Sequence, residues 1–167
     1  MATTLKAGDA FPEDVAFTYV PPSGKQEDVV ACGTGIKYDA SKEFKSKKVV
    51  LVSVPGAFTP TCQEQHVTGF IAKRDELKAK GVDQVVFIAY NDHWVMSAWG
   101  KANGVHDDFI LFASDDGAKF SKSLGWTMGE RTARYAVVVD KGKVVYAEKE
   151  GGSGTAVSGA EAVLAKL

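Results

Sequence analysis

Only two cysteines, Cys32 and Cys62, occur in the 167 residues, 30 positions apart and without C-x-x-C spacing. That excludes a disulfide framework and a vicinal dithiol motif, so each cysteine must be judged by its surroundings. No apolar run approaches the roughly 20 residues that cross a bilayer. The opening MATTLKAGDAF also lacks the charged-then-apolar order of a secretory signal. A cytoplasmic protein without membrane association is expected. Charge of one sign is missing too: 20 basic residues face 21 acidic ones with no long run of either, which excludes the basic stripe of a nucleic-acid binder. Internal repeats and low-complexity tracts are absent. What remains is a 45% hydrophobic chain, enough to bury the core of one domain over residues 1–167.

The apolar, β-branched run KVVLVSV, residues 48–54, has the length and composition of a strand buried on both faces of a sheet. From Pro60 the period changes to a helix carrying Val67, Phe70, Ile71 and Leu77 inward and ending at Gly81. A second strand, DQVVFIAY, leads to a helix capped by Asn91 or Asp92, with an apolar stripe of Trp94, Val95, Ala98, Trp99 and Ala102. Residues 109–113 form a third strand, and DDGAKFSKSLG a brief helix. Residues 134–140 and 143–148 make a strand pair around the turn DKGK. The last helix begins at Ser158 in a capping box with Glu161, after a flexible loop, EGGSGTAVSG. The order β-α-β-α-β-α-β-β-α predicts an α/β fold: a mixed central sheet, parallel early and antiparallel late, flanked by helices. The first 47 residues predict an N-terminal hairpin extension and mobile chain.

Cys62 stands where the central strand passes into a helix, the kind of junction at which α/β sheets gather ligands. With Thr59 as cap and Pro60 as first helical residue, Cys62 falls in the first turn among unpaired amides. Thiols so placed titrate at about 3.5–7.5 rather than about 8.5. Thr59 would hold its hydroxyl near the sulfur, and Pro55 would restrict and shield the loop. The residues alone leave two other readings open. Cys62 is a small buried hydrophobe, or it forms half a metal site with His66 at i+4, although no second pair at ligand spacing accompanies them.

Pro55, Thr59 and Cys62 spell P-x-x-x-T-x-x-C in VSVPGAFTPTCQEQH, which resembles the active-site signature of the peroxiredoxins, and PGAFTPTC resembles its form in the type II, atypical two-cysteine subfamily. The likeness continues through His66 and Gly69, FIAYNDHWVMSAWGKANGV, FASDDGAKFSKSLGW and RYAVVVDKGKVVYA, and is strongest to fungal members with a cysteine upstream, where this chain has Cys32. The resemblance implies a thioredoxin-like fold and a peroxidase for hydrogen peroxide and alkyl hydroperoxides that needs no metal, haem or flavin. Cys62 would be the peroxidatic cysteine, Thr59 a hydrogen-bond partner of peroxide and sulfur, and Pro55 part of the pocket. Arg134, opening RYAVVVD, matches the family's active-site arginine, with Arg131 as its rival in the preceding turn. Cys32 would resolve the sulfenic acid across a homodimer interface, and a thioredoxin-type dithiol would reduce the disulfide.

Two positions depart from the subfamily pattern. Thr61 stands where glycine is common before the cysteine, and the usual H-x-P reads His66, Val67, Thr68. Thr61 bears on which organic peroxides fit. Rival functions are a glutathione- or glutaredoxin-dependent peroxidase, and a redox-regulated chaperone or peroxide sensor using the same cysteine. The ending Ala165-Lys166-Leu167 is one residue from the S-K-L peroxisomal address, so peroxisome stands beside cytosol as the expected location.

Overall fold

Residues of the run KVVLVSV take the middle of the sheet, because a segment apolar on both sides is stable only with a layer against each face. The computed structural model describes residues 2–167. Strands β1 (Ala16–Tyr19) and β2 (Ile36–Asp39) precede a single turn, α1 (Ala40–Glu43), and β3 (Lys48–Ser53). A π-helical segment, Cys62–Val67, runs into α2 (Thr68–Ala72) and α3 (Arg74–Ala79), followed by β4 (Gln84–Ala89), α4 (His93–Ala102) and β5 (Ile110–Ser114). After a 3-10 turn, Asp116–Ala118, come α5 (Lys119–Leu124), the short strands β6 (Thr127–Met128) and β7 (Arg131–Thr132), the pair β8 (Tyr135–Asp140) and β9 (Lys143–Lys149), and α6 (Ala160–Leu164).

The main sheet has the order β2-β1-β5-β4-β3-β8-β9. Strands β3, β4 and β5 run parallel, whereas β8 pairs antiparallel with β3 and β9 antiparallel with β8. Alternate residues of β3 feed two cores. Val50 and Val52 pack with Phe70, Leu77, Met96, Trp99 and Val163 from the helices of one face, while Val49 and Leu51 pack with Phe17, Phe44, Phe120 and Leu124 on the other. Each such side chain contributes about 1.5–3 kcal/mol by leaving water. The expected mixed α/β order is therefore observed, including the late antiparallel hairpin. Its turn places Lys141 and Gly142 at φ 48° and 85°, as two-residue hairpin turns require.

Several local expectations are corrected. The N-terminal hairpin exists, but residues 20–35 separate its strands, and β1 also adds antiparallel to β5, extending the sheet at that edge. The helix that starts at Pro60 is not one regular element: it passes into a π-helical turn at Cys62 and breaks at Lys73, where φ and ψ are −99° and 11°. Helix α4 is capped as predicted, Asp92 accepting from the Val95 amide at 2.9 Å, but its buried face is centred on Met96, Trp99 and Gly100 while Trp94 is 51% exposed. Helix α6 is capped by Gly159, not Ser158, whose hydroxyl is engaged elsewhere. The short pair β6–β7 is an addition to the expected order, since two-residue strands leave no periodic signal.

Candidate active site

Strand β3 delivers the chain into a tight loop, residues 54–59, at its carboxyl end. The Ala57 amide donates to Asn91 Oδ1 at 2.9 Å, which ties the loop to the end of the neighbouring strand β4. Phe58 adopts a positive φ of 62°, a costly conformation for a non-glycine residue, and its ring lies 6.4 Å from that of Trp99. Thr59 is the cap only through its backbone: its carbonyl accepts from the Gln63 amide at 2.8 Å, while its hydroxyl donates to the Gly56 carbonyl at 2.7 Å. The hydroxyl thus closes the loop instead of capping helix amides. Its oxygen lone pairs stay available to accept a further hydrogen bond. A Cβ at Gly56 would meet Thr59 Cγ2 at 3.2 Å, a tight contact that glycine avoids.

Cys62 begins the π-helical turn and is 1% exposed. Such turns are frequent at functional sites. Arg134 Nη2 donates to Cys62 Sγ at 3.2 Å, and Arg134 Nη1 approaches His66 Nδ1 at 3.0 Å. His66 Nε2 in turn lies 2.8 Å from the Ser158 carbonyl oxygen. Arginine only donates and a carbonyl only accepts, so both contacts are satisfied by one form of the ring: neutral, with its proton on Nε2. Burial holds the His66 pKa down to about 4, with the Arg134 charge acting in the same direction and the Ser158 carbonyl opposing. The ring is therefore neutral at neutral pH.

Sheet register brings Arg134 to the sulfur. Strand β8 pairs with β3 so that Tyr135 faces Ser53, which sets Arg134 beside the start of the Cys62 loop. Thr132 Oγ1 donates to the Val54 carbonyl at 2.6 Å and Ser53 Oγ to the Ala133 carbonyl at 2.8 Å, clamping the segment before Arg134 onto the end of β3. Arg134 is 9% exposed, and among the described residues no carboxylate pairs with its guanidinium. Its charge is directed at Cys62. Arg131, the rival, is exposed and lies over the Tyr90 ring at 5.6 Å. The structure thus brings Cys62, Arg134 and the Pro55–Thr59 loop together. A groove of about 500 Å³ beside them is lined by Pro55, Thr61, Met128, Arg134 and the 151–154 loop.

His66 belongs to this cluster in a role that sequence spacing did not suggest. Both ring nitrogens are occupied by Arg134 and Ser158, so the half-metal-site reading fails, and no group of three or more metal-ligating side chains occurs among the described residues. Cys32 lies apart. It is exposed and unbonded to Cys62, in a loop held against α4 on both sides: Lys101 Nζ donates to the Ala31 carbonyl at 2.6 Å and Trp94 Nε1 to the Gly33 carbonyl at 3.0 Å.

A buried thiol at a helix start, with a guanidinium N–H donated to it and a proline-threonine loop beside it, has the surroundings that suit a nucleophilic sulfur. In comparison with known proteins, the family described as Redoxin matches residues 6–164. The chain is a peroxiredoxin. It is 57% identical over 164 residues to peroxiredoxin AHP1 of Chaetomium thermophilum, covering 98% of this chain and 95% of that one. It is 50% identical over 165 residues to a putative peroxisomal peroxiredoxin of Lipomyces kononenkoae, covering 95% and 99%. Among solved structures, reduced Prx3 from Vibrio vulnificus in complex with hydrogen peroxide superposes with a TM-score of 0.83 at 36% identity, covering 97% and 95%. This peroxiredoxin is a thiol-dependent peroxidase, and its mixed sheet with flanking helices is the thioredoxin-like fold.

Proposed function

We propose that Cys62 is the peroxidatic cysteine and that Cys32 of a second subunit resolves it. The observation that carries the first half is the 3.2 Å contact from Arg134 Nη2 to Cys62 Sγ. The thiolate attacks the terminal oxygen of a hydroperoxide, an S–O bond forms as the O–O bond breaks, and the departing oxygen takes a proton to leave as water or an alcohol. Sulfur is oxidised to sulfenic acid and the peroxide is reduced. Thr59 directs the peroxide with its free lone pairs, Pro55 walls the pocket, and Arg134 stabilises negative charge as it moves from sulfur to the leaving oxygen. Turnover with thioredoxin and its reductase, compared with glutathione and glutaredoxin, tests the donor. Peroxide consumed in neither system would leave the sensor or chaperone reading in its place.

Resolution follows as attack of the Cys32 thiolate on the sulfenic sulfur, forming the S–S bond and releasing water, and a thioredoxin-type dithiol then reduces the disulfide by exchange. Cys62 is buried and Cys32 is exposed, so the first turn of the Cys62 helix unwinds to let the two sulfurs approach bonding distance. The exposure of Cys32, between carbonyls anchored by Lys101 and Trp94, supports an approach from outside its own pocket. Wild-type protein treated with equimolar hydrogen peroxide, thiol-blocked and run on a denaturing gel without reductant, is expected at dimer mass, and C32S at monomer mass. A wild-type band at monomer mass with both thiols consumed would make the bridge intramolecular.

The name of the Lipomyces relative and the ending Ala165-Lys166-Leu167 support a peroxisomal location beside the cytosolic one. Ala165 and Lys166 are exposed, while Leu167 packs on the core edge, so a receptor would have to lift the last residue. A fluorescent protein carrying this C-terminus is expected in peroxisomes of a fungal cell. Diffuse fluorescence would remove the proposal.

A further inference from the structure

The polar groups around Arg134 form a closed ring, and its far side is a residue outside the signature. The Glu150 amide donates to the Arg134 carbonyl at 2.9 Å, continuing the β8–β9 ladder by one pair. The Glu150 carboxylate turns the other way: Oε1 accepts from the Val157 amide at 2.7 Å, the Ser158 amide at 2.8 Å and the Ser158 hydroxyl at 2.9 Å. These three bonds close the glycine-rich loop 151–156 and fix the Ser158 peptide, whose carbonyl orders the His66 ring. The expectation of a flexible loop here is therefore corrected at its base. The Tyr146 hydroxyl adds a bond to the Val157 carbonyl at 2.7 Å.

We propose that His66 and Glu150 are positioning residues for peroxide reduction: Glu150 holds the Ser158 carbonyl, the carbonyl selects the His66 ring form that accepts from Arg134, and this acceptor aims the guanidinium at Cys62. The physical need is specific. A guanidinium is a planar fork, so fixing Nη1 on an acceptor fixes where Nη2 points. Carboxylate is the usual partner for a buried arginine, but a second negative charge would compete with the sulfur for the cation. A neutral imidazole acceptor orients the fork and leaves its charge to Cys62. The reversed ring form, with hydrogen on Nδ1, would face an Arg134 N–H with another N–H, and the Ser158 carbonyl prevents that. The titratable and charged groups around His66 are Cys62 on its own helix, Arg134 before β8 and Glu150 after β9.

The proposal rests on the reading of Cys62 and Arg134 above, and C62S and R134A test that reading separately. Asparagine and glutamine separate the two jobs of His66, since an Asn oxygen stands near the Nδ1 position and a Gln amide nitrogen near Nε2. Peroxide reduction by H66Q, which keeps the Ser158 bond but loses the acceptor, is expected to fall about tenfold, with a matching loss of ultraviolet thiolate absorbance. H66N, which keeps the acceptor, is expected to stay within about threefold of wild type. Equal losses in both that track their melting temperatures would reduce His66 to a structural residue and overturn the proposal. The Glu150 pair reads the far side without touching the core. E150A is expected to slow peroxide reduction about threefold to tenfold, E150Q to restore most of that rate through its remaining oxygen, and E150A to cost nothing more in the H66Q background. Full additivity of E150A and H66Q, or an E150A rate equal to wild type, would break the link.

Discussion

Replacing Cys62 by serine is expected to abolish peroxide reduction while leaving the fold in place. The hydroxyl is a weak nucleophile at neutral pH, and no second thiol lies in the pocket, since Cys32 is exposed on the N-terminal loop. Stability should change little, by about 1 kcal/mol, because the substitution trades one small side chain for another of similar volume and leaves an oxygen that still accepts from Arg134. Peroxide consumption with an excess of reductant measures the first expectation, and a denaturant melt the second. A C62S protein that kept most of its turnover would remove the assignment of the nucleophile, whatever the fate of Cys32.

Arg134→Ala is expected to slow attack on peroxide by about 10²–10³-fold, the scale for deleting one donor aimed at charge that moves in the transition state. The same change leaves the Sγ and His66 Nδ1 without their shared donor inside the protein, so stability should also fall by about 1–3 kcal/mol. Arg134→Lys should recover only part of the rate, because an ammonium is a point charge and cannot hold sulfur and imidazole in one plane. Arg131→Ala is the control: its contact with the Tyr90 ring is exposed and worth about 0.5–1 kcal/mol. Rapid-mixing rates with hydrogen peroxide and alkylation of Cys62 by iodoacetamide at neutral pH distinguish the two arginines. A slow R131A and a normal R134A would transfer the role.

Local chemistry made much of this protein legible before its fold was known. The strand 48–53, the helix start at Pro60, the Asp92 cap and the DKGK turn all depend on neighbours within a few residues, and each is where periodicity and turn chemistry predict it. Errors arose where a local preference had a distant competitor. Ser158 and Glu161 have the spacing of a capping box, but the Ser158 hydroxyl and amide are taken by the Glu150 carboxylate, so the cap moves to Gly159. Thr59 is a natural cap residue, yet the tight turn after β3 offers its hydroxyl the Gly56 carbonyl first. Trp94 fits an apolar stripe, but its indole N–H is drawn outward to the Gly33 carbonyl of the Cys32 loop.

The sequence by itself determined the position of the thiol: a buried strand, a proline-threonine turn and a helix start are contiguous, and contiguous residues need no tertiary partner to set their order. It also singled out Arg134, through its place at the head of an apolar strand and its resemblance to a family pattern. Only the tertiary structure decided what surrounds the sulfur. Arg134 stands 72 positions from Cys62 and 68 from His66, and Ser158 is 92 from His66. Those residues meet because β8 inserts antiparallel beside β3 and β9 follows beside β8, which stacks the ends of three strands over one helix turn. No local period encodes that meeting, and a histidine or a glutamate read in isolation has many ordinary uses. The orientation of one imidazole, and through it of one guanidinium, is a property of the assembled sheet.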